Sequence, residues 1–292
     1  MRFQQCSCVV VVAIAVCGLV AGCGGSNTQH EAEVVRQEAE LPSLPDSLVT
    51  TQWLSEHLND PDLVVLDCTV SVEGGEDGGL AVESGRAGFE AGHIPTAGFA
   101  DLMGELADPD SPYQYAVPTP EEFAAVMGAL GVGDETRVVL YDASMSAWAA
   151  RVWWMLRWIG FDRAAILDGG LGAWQAEGRA LSTDPADQPV RVLTPAARPG
   201  LIADRAEVLA AIEDEAVVLV DTMPEPHYRG EMSMYARPGH IPTAVNVSVM
   251  ALLDDTGRYN SSDDLAALVA GDVGARSDRT ITYCGGGLAA AS

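Results

Sequence analysis

Apolar residues follow two spacings that alternate along the chain. Short β-branched runs have the length and residue types of strands: Val64-Val65-Leu66-Asp67, Arg137-Val138-Val139-Leu140-Tyr141, Val217-Val218-Leu219-Val220-Asp221 and Arg279-Thr280-Ile281-Thr282-Tyr283. Between them, apolar positions recur every three or four residues over 51–58, 120–130, 146–159, 205–212 and 262–269, which predicts helices. Strands that alternate with helices imply an α/β fold, with helices flanking a mainly parallel sheet.

The pattern is written twice. The hexapeptide Gly92-His93-Ile94-Pro95-Thr96-Ala97 recurs unchanged as Gly239-His240-Ile241-Pro242-Thr243-Ala244, and each copy lies between the same two strand types in the same order. Gly and Pro make each copy a turn, and His93 and His240 read best as local ties for it rather than as catalytic groups. The chain therefore divides into a leader (1–22), a flexible Glu- and Pro-containing linker (23–46), a first module (47–181), a proline-rich connection (182–200) and a second module (201–292).

Composition agrees with two folded modules: 292 residues with 48% apolar content exclude disorder over most of the chain. Forty-two acidic against 16 basic residues give a formal charge of -26, which repels phosphate backbones and excludes nucleic acid as a partner. The histidines and cysteines are too scattered for metal-ligand spacing, so neither a metal nor another cofactor is expected.

The leader sharpens this picture. Arg2 precedes an apolar stretch that ends in Val20-Ala21-Gly22-Cys23, the form of a signal peptide with a lipobox, and too short for a membrane span of roughly 20 apolar residues. Cleavage before Cys23 would leave a diacylglyceryl cysteine and a lipid-anchored protein in a bacterial cell envelope, facing the periplasm or exterior. With Cys6, Cys8 and Cys17 in the leader, Cys68 and Cys284 remain as body thiols; a bridge between them is allowed but not required.

Superposing the halves sets Asp142 of the first against Cys284 of the second. After Cys284 come Gly285, Gly286 and Gly287, then Leu288 and Ala289, a run able to wrap a tight loop and begin a helix. Amides of such a loop, with the positive end of a helix, stabilise a thiolate and equally the terminal sulfur of a persulfide. An inert buried cysteine would gain nothing from three following glycines.

Tandem modules with Gly-His-Ile-Pro, a first copy without cysteine and a strand-Cys-loop-helix in the second resemble the rhodaneses, the thiosulfate and 3-mercaptopyruvate sulfurtransferases. Arg151-Val152-Trp153-Trp154-Met155-Leu156-Arg157 and Leu167-Asp168-Gly169-Gly170 are also similar to family signatures, the Trp-rich helix reading as core. The resemblance implies a ping-pong cycle: the Cys284 thiolate takes sulfur from a small anionic donor, holds it as a persulfide and passes it to a thiol or cyanide acceptor. It also implies cations that hold the donor's anionic group, and the matching segment offers His227, Arg229 and Arg237, with ordinary surface arginines as the plainer reading. His227 stands where the family usually has arginine, and Cys-Gly-Gly-Gly is closer to the mercaptopyruvate-type Gly-Ser-Gly loop but lacks its hydroxyl at Gly286. Ala289 replaces the usual threonine.

Two alternatives follow from these departures. A phosphatase of the related loop-cysteine type needs a longer ring closed by arginine, where this chain has Ala290 and Ala291. A lipid-anchored binding or redox-sensing module without turnover fits the missing hydroxyls and a second half that looks truncated. The first half continues for about forty residues beyond the loop position and the second only to Ser292, so a sequence fragment, or a poorly supported loop, is expected.

Overall fold

The computed structural model describes residues 43–74, 80–232, 237–274 and 279–292. Residues 41–292 form one compact unit. The leader, Cys23 and the linker up to residue 42 lie outside the described residues, among which no helix is long and apolar enough to cross a membrane.

The first module runs β1 (Leu48–Val49), α1 (Thr51–His57), β2 (Leu63–Asp67), β3 (Val70–Gly74), β4 (Leu80–Ser84), α2 (Arg86–Ala91), β5 (Gly98–Phe99), α3 (Pro120–Ala129), β6 (Arg137–Tyr141), α4 (Ala147–Trp158), β7 (Ala164–Leu167) and α5 (Gly170–Ala176). The second runs α6 (Arg205–Ala211), β8 (Val217–Asp221), α7 (Glu225–Tyr228), β9 (Val245–Asn246), α8 (Ser262–Asp272) and β10 (Arg279–Tyr283). The first sheet is parallel in the order β1-β7-β6-β2-β5, and a parallel β10-β8-β9 sheet reproduces its β6-β2-β5 part. Strands β3 and β4 form a separate antiparallel hairpin.

Alternation along the strands builds a core on each face. Val64, Leu66, Val138 and Leu140 pack against Phe123 and Met127 of α3 and Val152, Met155 and Leu156 of α4. On the other face Val65, Val139, Tyr141 and Leu167 meet Leu54, Ile94 and Trp174. In the second module Leu219 and Ile281 share one cluster and Val218 and Val220 the other. Strand β6 is buried along its whole length, whereas four of the five residues of β10 are exposed or half-buried, because β6 lies between β7 and β2 while β10, among the described residues, pairs with β8 alone.

Helix starts are fixed locally. Thr119 and Glu122 form a capping box with Pro120 at the first turn of α3, and Asp204 with Glu207 does the same for α6. Helix α4 is started differently, with Ser146 left-handed (φ 60°) and no side-chain cap of its own.

The duplicated hexapeptide has one geometry in both modules. His93 Nδ1 lies 2.8 Å from the Phe89 carbonyl and His240 Nδ1 2.8 Å from that of Tyr228, each ring stacked on the aromatic that holds it. Ile94 N and Ile241 N donate to the hydroxyls of Tyr141 and Tyr283, and Thr96 and Thr243 are left-handed at φ 70° and 72°. These contacts tie both histidines to turn architecture. His93 Nε2 also reaches the Asp184 carbonyl at 2.9 Å, fastening the start of the 182–200 connection. Leu193 is buried within that connection, and the amides of Ala196 and Arg198 donate to the end of α4.

The Leu167-Asp168-Gly169-Gly170 segment joins the modules. Asp168 accepts from Tyr259 N (2.8 Å) and meets Arg258 Nη1 (3.4 Å), while Arg258 Nη2 pairs with Glu177 (2.8 Å). Gly170 is required because a Cβ there would sit 2.3 Å from the Asp142 carbonyl oxygen.

Candidate active site

Cys284 follows the last residue of β10, at the carboxyl end of a parallel strand where ligands of open α/β sheets collect. It is a free, half-buried thiol. Cys68, the other free cysteine among the described residues, is fully buried and burial pushes its thiol well above the usual range. A nucleophile must ionise and be reached, so the geometry singles out Cys284.

The strand end is pinned from both sides. Thr222 N and Oγ1 donate to the Tyr283 carbonyl, as Cys68 N does to that of Tyr141 in the first module. Beyond the sulfur, Gly285, Gly286, Gly287 and Leu288 form bends that lead into a 3-10 turn over Ala289–Ala291, a tighter turn than the α-helix expected. Thr282 Oγ1 donates to the Ala290 carbonyl (2.9 Å) and closes this turn on β10. Gly287 is left-handed at φ 74°, which suits glycine.

A ring of amides around the sulfur was expected, yet among the described residues no backbone N–H donates to Cys284 Sγ. The ring is formed instead on its counterpart. Asp142 Oδ1 accepts from Ser144 N (2.8 Å) and Ser146 N (3.1 Å), and Oδ2 from Trp148 N and Ala149 N (3.1 Å each). The first module therefore shows what this strand-loop-helix corner holds when its helix is fully wound: a negative group with four amides aimed at it. Burial raises the Asp142 carboxyl while the amides pull it down.

The three predicted cations are not gathered on the sulfur. Arg229 is exposed and its guanidinium pairs with Glu225 one turn back on α7. Arg237 is exposed beside Pro238, and His227 is half-buried with Nδ1 lacking a partner. Gly230 lies close against Gly239: a Cβ on it would sit 3.2 Å from the Gly239 nitrogen. Among the described residues, no hydrogen bond or ion pair carries any of the three to Cys284.

A buried cation reaches the Cys284 loop from the first module. Arg151 of α4 is 7% exposed, donates from Nη1 to the Gly287 carbonyl (3.0 Å) and from Nη2 to the Tyr115 carbonyl (2.8 Å), and lies over the Trp154 ring. Burial pulls it down to about 10, and the Cys284 charge pulls it back up. The Tyr115 ring lies 3.1 Å from where a Gly286 Cβ would be, and Tyr115 also lines an 810 Å³ cleft between Met103 and Glu122. The sequence pattern places Arg151 inside a core helix and assigns it no role. The signal was present: it lies four residues after Ala147 and four before Met155, both buried, and a charge on an apolar face needs a reason. No group of acidic, histidine or cysteine side chains able to hold a metal occurs among the described residues.

The rhodanese-like domain model matches residues 50–177 and 204–292. The 3-mercaptopyruvate sulfurtransferase of Escherichia coli strain K12 is 32% identical over 246 residues, covering 83% of this chain and 85% of that protein. The thiosulfate sulfurtransferase of Rattus norvegicus is 30% identical over 232 residues, 76% and 75% of the two chains. The crystal structure of Escherichia coli SseA, described as a 3-mercaptopyruvate sulfotransferase, superposes with a TM-score of 0.74 at 32% identity, over 84% of this chain and 90% of that one. With two such domains built on the sheets described above, the chain belongs to the rhodanese family of sulfurtransferases.

Proposed function

We propose that the protein carries sulfane sulfur from a small anionic donor to a thiol or cyanide acceptor as a persulfide on Cys284, without a cofactor. The observation that supports it most directly is the placement of a reachable thiol at the strand end where the duplicate module holds an anion on four amides. With 3-mercaptopyruvate, the Cys284 thiolate bonds to the donor sulfur as the carbon–sulfur bond breaks, and the proton that the donor thiol brought passes from the new persulfide to the released enolate to give pyruvate. With thiosulfate, the same attack expels sulfite. The persulfide then gives its outer sulfur to cyanide, yielding thiocyanate and restoring the thiolate. The Gly-Gly sequence after Cys284 favours 3-mercaptopyruvate, and Arg229 and Arg237, in the segment that matches the family's anion-binding one, are the residues to receive its carboxylate.

Cyanide-dependent thiocyanate release by the purified protein tests this, with both donors run in parallel. Faster turnover with 3-mercaptopyruvate is the expected result, and no turnover with either would favour a binding or redox-sensing module. The leader extends the proposal: processed at Cys23, the protein sits on a lipid anchor at the cell envelope. Labelled fatty acid should then be incorporated by the wild type and not by Cys23→Ser, and equal labelling of both would remove the anchor.

A further inference from the structure

We propose that Arg151, supplied by the module that lacks the cysteine, is a positioning residue for the second module's chemistry: it anchors the Cys284 loop through the Gly287 carbonyl and provides the buried positive charge that balances the sulfur anion. The inference rests on Cys284 being the sulfur carrier.

A guanidinium that is 7% exposed is costly to bury unless its charge is met. Arg151 has two carbonyl acceptors, an aromatic face and no carboxylate partner among the described residues, and its Nε is buried without any acceptor. Carbonyl dipoles satisfy protons but bring no countercharge. The titratable groups about it are Cys284 and Tyr115 on the facing loops and Asp142 beneath the start of α4, and the Asp142 oxygens are already occupied by four amides of their own loop. Arg151 Nη1 holds the carbonyl of Gly287, three residues beyond Cys284, which sets the guanidinium against the loop that carries the thiolate, and after sulfur uptake the persulfide; the downward pull of burial on Arg151 is opposed by Cys284. The hydrogen bond to Gly287 adds geometry to charge: it fixes the left-handed glycine three residues beyond the sulfur. This also gives the cysteine-free module a part in the reaction.

The test is the pH dependence of Cys284 alkylation by iodoacetamide in the full chain, read by peptide mass spectrometry, with sealed Cys68 as the internal control. In Arg151→Gln the midpoint should rise by at least about one pH unit, which below the midpoint is roughly tenfold slower alkylation. Arg151→Lys, which keeps the charge but cannot hold both carbonyls, should stay near the wild-type midpoint while sulfur transfer slows. Gly287→Ala attacks the same contact from the loop side, since its Cβ would lie 2.9 Å from Nη1, and should shift the midpoint in the same direction even if Arg151→Gln does not fold. Midpoints within 0.2 pH units of wild type in folded Arg151→Gln and Gly287→Ala would overturn the proposal (~0.3 kcal/mol). An unchanged midpoint with sulfur transfer intact would sink Arg151 alone, whereas thiolate formation without thiocyanate release in wild type would sink the sulfurtransferase cycle instead.

Discussion

Cys284→Ser should stop thiocyanate release with either donor, a loss of at least about a thousandfold, while the thermal midpoint stays within a degree or so of wild type. A serine hydroxyl does not ionise at neutral pH and cannot carry a second sulfur, so both half-reactions fail together. Stability should be spared because no described hydrogen bond ends on the Cys284 sulfur, and the contacts that seat the strand end, Thr222 to Tyr283 and Thr282 to Ala290, leave it untouched. Cys68→Ser supplies the contrast. Its side chain is sealed in the core of the first module, so the change should cost stability, about 1–2 kcal/mol, and leave turnover per folded molecule intact. Transfer that survived in the Cys284 variant would move the chemistry to another residue.

How far the sequence foretells this site depends on the range of the interaction concerned. Strands β6, β8 and β10 fall on the residues that the β-branched runs marked, because alternation and burial act within a few positions. The two-residue strands β1, β5 and β9 have no such signature; they are strands because β7, β2 and β8 lie alongside them. The β3–β4 hairpin was missed for a related reason, since its strands flank the Gly-rich 74–79 stretch and pair with each other outside both sheets. At the site the division is the same. Cys284, its loop and the turn role of the histidines can be read from neighbours in sequence. The partners of Arg151 are 36 and 136 residues away along the chain, beyond the reach of any local pattern, and the Arg229 pairing with Glu225 set that arginine's charge against a carboxylate that spacing alone would have revealed.

Asp142→Ala is the substitution expected to cost the fold most, because one carboxylate serves four amides, three of them in buried bonds. Ser144, Ser146, Trp148 and Ala149 all direct their N–H groups at it, and Ser146 offers α4 no side-chain cap in its place. Each amide left without an acceptor in a buried site costs about 1–3 kcal/mol, reduced where water or a shifted loop can answer it. A net loss of about 3–5 kcal/mol follows, or a fall in thermal midpoint on the order of 10 °C for a protein of this size. Asp142→Asn should lose roughly half as much, since its carbonyl can still accept from one pair while its NH₂ confronts the other. The consequence should extend beyond stability. Helix α4 begins on these amides and carries Arg151 to the Gly287 carbonyl, so loosening its first turn in the folded variant should also slow alkylation of Cys284 at neutral pH, across the boundary between modules. Calorimetry decides the first part and alkylation the second. A midpoint within 2 °C of wild type for Asp142→Ala would mean that the amides find other acceptors and that the corner needs no anion to hold its shape (about 1 kcal/mol or less).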